Sequence, residues 1–137
     1  MVAGLIGMAV VGAGCGGGGH PPGPPTVLPL PGAGTIPVSE VTTAASQMCG
    51  IVAQSRSDPG GVLRPFYAGP HDALHLLAAV ANAKHPATAQ SLLSVMLTYE
   101  SDIAATPPPA ATGADAAALL GAVDGALAAL GVAAPAC

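Results

Sequence analysis

From Val38 to the C-terminus, apolar side chains recur every three or four positions, and each such run stops at a proline or a glycine. That period suits a helix buried along one face; a half-buried strand would alternate every second residue. The first run covers about 39–55, with Val41, Ala44, Ala45, Met48 and Val52 on one side. Ser39 is its expected N-cap, and Glu40 falls in the first turn, where negative charge favours a helix. The second covers about 70–84, opening at Pro70 and carrying Leu74, Leu76, Leu77, Val80 and Ala81. The third, 86–105, sets Ala89, Leu92, Met96, Tyr99 and Ile103 against Gln90, Ser91, Ser94, Thr98 and Ser101. The fourth, 114–130, holds Ala116, Leu119, Leu120, Val123, Leu127 and Leu130, with Gly131 placed to cap its end. Asp58-Pro59-Gly60-Gly61, His85-Pro86 and Thr106-Pro107-Pro108-Pro109 separate them. Four amphipathic helices with short connections predict an all-α fold, a small four-helix bundle.

The material for its core is modest. Trp is absent, and Phe66, Tyr67 and Tyr99 are the remaining large aromatics, so Leu, Val, Met and Ala must fill the interior. Charge is scarcer still. Only 7% of residues are charged, the basic ones being Arg56, Arg64 and Lys84, against a formal net charge of -4. Such a chain offers no basic patch to a phosphate backbone, which argues against nucleic-acid binding.

The N-terminal third differs. Residues 15–37 hold Pro21, Pro22, Pro24, Pro25, Pro29, Pro31 and Pro37 among glycines, a composition expected to form a disordered tether. Before it lies an apolar run, Val2 to Val11, then Gly12-Ala13-Gly14-Cys15. The run is shorter than the ~20 residues a membrane-spanning helix needs and fits a signal-peptide core. The order of apolar run, small residues, cysteine and flexible spacer resembles the lipid-attachment signal of bacterial lipoproteins. The abundance of Ala, Gly and Pro suggests a high-GC source, as in actinobacteria. No basic residue precedes Val2, so the true start is expected upstream of Met1. The resemblance implies a signal peptide over 1–14, a lipid-anchored linker over 15–37 and an extracytoplasmic domain over 38–137. Cys15 would carry acyl chains such as palmitate, two of which suffice for stable anchoring. The alternatives are cleavage after Val11-Gly12-Ala13 with plain secretion and no lipid, or an uncleaved anchor.

Three cysteines, Cys15, Cys49 and Cys137, leave one pair once Cys15 is lipidated. Outside the cytoplasm, Cys49 and Cys137 are expected to form a disulfide.

Candidates for chemistry are few. His71 and His75 stand four apart and project from one helix face, the spacing at which two imidazoles chelate a metal, but no third ligand is evident nearby. Phe66, Tyr67 and Tyr99 could line an apolar ligand site. No nucleophilic triad, paired carboxylates or phosphate loop can be assembled from residue order. The expectation is a non-enzymatic lipoprotein at the outer face of the cell membrane, without a cofactor, binding or scaffolding an envelope protein or a small apolar ligand. The alternative is a secreted haem- or metal-binding carrier using His71, His75 or Tyr99. In general plan the chain is similar to the small, helical, disulfide-closed haem carriers of actinobacteria.

Overall fold

A computed structural model describes residues 23–32 and 34–137. The signal segment, Cys15 and His20 therefore lie outside the described residues. The chain runs through a hairpin of two strands, β1 (Val27–Leu30) and β2 (Gly34–Pro37), and then five α-helices. These are α1 (Val38–Ser57), α2 (Leu63–Ala68), α3 (His71–Asn82), α4 (Pro86–Ala104) and α5 (Thr112–Ala129), with a single 3-10 turn at Pro59–Gly61.

The hairpin corrects the expectation that residues up to Pro37 form a disordered tether. Its strands are antiparallel, with Leu28 opposite Ile36 and Val27 opposite Pro37. The pattern is short enough to escape a search for periodicity, since each strand buries one side chain, Leu28 or Ile36. Proline is tolerated because both strands are edges, whose outward N–H groups have no partner to lose. Gly32 turns the chain at a φ of +104°, and the Val38 N–H donates to Thr26 O at 2.9 Å, closing the hairpin against the start of α1.

The four long helices follow the predicted runs. In α1 the buried face is Val41, Ala44, Ala45, Met48, Ile51, Val52 and Ser55. Glu40 lies in its first turn and Arg56 in its last, each complementing the helix dipole. Ser39 is not the N-cap; Pro37 is, and Ser39 already lies inside the helix. The α2 turn fills what the sequence suggested was loop. Its brevity hides it from any periodicity, and Phe66 alone holds it to the core.

The end of α5 is sharply made. Gly131, at a φ of +72°, donates to Ala128 O, and the Val132 N–H reaches back to Leu127 O at 2.9 Å. This pair of bonds is a Schellman motif, with Val132 and Leu127 both buried as its apolar clasp. It aims the last residues back toward α1, where Cys137 and Cys49 form a disulfide with Cα atoms 5.6 Å apart.

The core lies where α1, α3, α4 and α5 meet, filled by Met48, Leu74, Leu77, Leu92, Met96, Leu119 and Leu127. One polar pair sits inside it. Tyr99 Oη and Ser55 Oγ are 2.8 Å apart, so each buried hydroxyl has a partner. Burial pushes the Tyr99 hydroxyl above its ordinary pKa, an effect the Ser55 bond partly offsets.

Candidate metal centre

Helix α3 begins at His71, directly after buried Pro70, and His75 follows one turn later. Antiparallel to it runs α4, joined through the short break at His85-Pro86. His71 stands fourteen positions before His85, and Glu100 fourteen after Pro86, so the return of the chain brings them level. On α4, Met96, Tyr99 and Ile103 point into the core. Glu100, one step round from Tyr99, points along the flank toward α3.

The three side chains converge. His71 Nε2 is 3.1 Å from Glu100 Oε1, His75 Nε2 is 3.8 Å from the same oxygen, and the two imidazole Nε2 atoms are 3.2 Å apart. One donor atom from each residue lies within 4.8 Å of the others. The cluster is set into the surface, with the His71 and Glu100 side chains 18% and 17% exposed and His75 46%. The sequence reading missed Glu100 because the third ligand comes from the next helix. The signal that finds it is the reflection of the chain about His85-Pro86.

Asp72 decides what the cluster can hold. Its Oδ1 lies 2.9 Å from His71 Nδ1 and can only accept, so that nitrogen carries the proton. In neutral His71 the lone pair then sits on Nε2, facing Glu100 Oε1. Glu100 Oε1 is itself buried and receives no well-aligned hydrogen bond. Two acceptors 3.1 Å apart repel unless they share a positive group: a second proton on His71, the Nε2–H that His75 can turn toward them at 3.2 and 3.8 Å, or a metal ion. A carboxylate on the outer nitrogen of a histidine is also the usual support of a metal-ligating imidazole.

Aromatic rings hold His71 in place. Tyr67 stacks on it at 4.6 Å between centroids, Phe66 meets it edge-on at 5.5 Å, and Phe66 in turn meets Tyr99 at 5.1 Å. Every Phe and Tyr of this aromatic-poor chain is thus gathered at this corner. Phe66 and Tyr99 are fully buried, which leaves them no surface for a ligand, whereas Tyr67 is exposed. Partial burial, and secondarily the Glu100 charge, raise the Tyr67 hydroxyl above its ordinary pKa.

The donor set is two imidazoles and one carboxylate, which suits a divalent transition ion such as Zn²⁺ and leaves one tetrahedral position open. The order His71-Asp72-Ala73-Leu74-His75 is close to the His-Glu-x-x-His helix of zinc peptidases, in which the acidic residue is the general base. Here Asp72 is 92% exposed and engaged with the outer nitrogen of His71, so it would support the ligand rather than act as a base. Ser55 is bonded to Tyr99, and Cys49 to Cys137.

No family model, curated protein or solved structure matches the chain.

Proposed function

We propose that this protein is a non-enzymatic metal-binding module of the cell envelope, a small helical bundle that holds a divalent transition ion between α3 and α4. The convergence of His71, His75 and Glu100 carries this reading. Attachment through lipid on Cys15 belongs to the same proposal and rests on the Gly12-Ala13-Gly14-Cys15 order. So does the role of binding rather than turnover, supported by the position of Asp72.

The test is calorimetric titration of Zn²⁺ into metal-free protein, with bound metal counted by mass spectrometry. One ion per chain is expected, with affinity falling by about 100-fold or more in His75→Ala and Glu100→Gln. Unchanged affinity in both variants would remove the site. Anchoring is read separately, from the mass of the mature N-terminal peptide in host membranes. A peptide starting at acylated Cys15 is expected, and an unmodified N-terminus in the culture fluid would make the protein a secreted carrier.

One observation favours haem iron as a second reading. Among the described residues, four of the five exposed large apolar side chains form two helically spaced pairs, Leu63 and Tyr67 on α2 and Leu93 and Leu97 on α4, on the helices that flank the histidines. A flat apolar macrocycle would cover them. Haem iron offers one axial position per face, however, and would use only one of the three donors. A haemin titration separates the readings: a shifted Soret band lost in His71→Ala or His75→Ala, with no Zn²⁺ binding, selects haem.

A further inference from the structure

At the other end of α3, a second site stands apart from the metal cluster. The hairpin lies across the ends of α3 and α5 and leaves a cleft of about 300 Å³. Val27 and Leu28 wall it on the strand side, Val80 and Leu130 on the helix side, and Lys84 and His85 from the joint after α3. The residues forming its walls are mostly apolar, and Leu28 and Val80 are themselves buried.

Charge distinguishes this cleft from ordinary surface relief. The chain has three basic residues and a formal net charge of -4, yet Lys84 lines this cleft together with His85, and no Asp or Glu does. An apolar trough with a cationic lysine and no acidic side chain complements a molecule that is apolar along its length and anionic at one end. The volume sits at the lower limit of small-molecule sites, which admits one short chain rather than a two-chain lipid. We propose that this cleft binds a single-chain amphiphile with an anionic head, of the fatty-acid class, the chain lying against Val27, Pro29 and Leu130 and the head meeting Lys84. No bond is made or broken, and the site does not depend on the metal reading.

Calorimetry of the full chain with hexanoate, octanoate and decanoate tests this. The expected result is saturable one-to-one binding that tightens about fourfold per added CH₂, the gain for burying one methylene. Lys84→Glu should weaken decanoate at least tenfold, and Ala129→Trp, at a half-buried wall position, should abolish binding. Because the tryptophan could disturb the helix end, each variant is also scored for Zn²⁺ binding at the distant cluster and for its melting temperature. Lys84→Glu lies at an exposed position and keeps the test decisive if Ala129→Trp does not fold. No saturable decanoate binding would overturn the proposal, as would affinity indifferent to chain length. Equal binding of decanol would overturn the role of the head group. Binding of inorganic phosphate alone at the same affinity would overturn the role of the chain.

Discussion

Breaking the Cys49–Cys137 bridge should cost this fold a large share of its stability. The bridge spans 88 residues of sequence, enclosing the C-terminal part of α1 and all of α2 to α5. In the chain-entropy view, closing a loop of that length removes about 4.5 kcal/mol of freedom from the unfolded chain. Part of this returns when the bond is cut, because the native tail is also released. Val132 is buried and would stay, while residues 133–137 have no helix or strand and are mostly exposed. Freeing one such residue recovers roughly 1–2 kcal/mol, which leaves a net loss of about 2.5–3.5 kcal/mol. For a domain of this size that corresponds to a fall in melting temperature of roughly 10–20 °C. The assay is a thermal melt followed by circular dichroism, comparing the wild type with Cys49→Ser/Cys137→Ser, so that no free thiol confuses the result. A change of less than about 2 °C would refute the reasoning. It would mean that the Schellman turn at Gly131 and buried Val132 already hold the tail without the bond.

Other predictions follow from single environments. Gly121 and Gly125 lie inside α5, exposed and with open space where a Cβ would stand, so Gly121→Ala and Gly125→Ala should each stabilise by ~0.5–1 kcal/mol in urea unfolding. Loss of stability in both would show that the space is not free. Burial, and then neighbouring Asp115, raise the Asp102 carboxyl above its ordinary pKa. The folded protein therefore binds this proton more tightly than the unfolded chain does, and stability falls as pH rises from the ordinary carboxylate range through the raised value. Asp102→Asn should raise the melting temperature at pH 7 and flatten its decline above pH 4; a lower melting temperature at pH 7 would contradict this. Asp72→Ala should weaken Zn²⁺ binding by about 10–100-fold with little effect on the melt, because it removes the acceptor that orients His71. Unchanged affinity would deny Asp72 that role.

What this sequence determined by itself was local. The spacing of Val41 to Val52, of Ala89 to Ile103 and of Ala116 to Leu127 specifies which faces turn inward, because a helix repeats every 3.6 residues whatever surrounds it. Pro86 and Gly131 mark boundaries for equally local reasons, one lacking an N–H and the other adopting positive φ. The pairing of Cys49 with Cys137 followed from cysteine number and was met by the fold. The hairpin and α2 were not legible. Leu28, Ile36 and Phe66 are single apolar residues whose role exists only once α1, α3 and α4 offer a surface to receive them. The cluster of His71, His75 and Glu100 was half legible. His71 and His75 are neighbours on one helix, so their spacing is visible in the chain. Glu100 becomes a neighbour only through the antiparallel return of α4. The cleft at Lys84 lies further still from the sequence, since hairpin, α3 and α5 supply its walls from three separate stretches of chain.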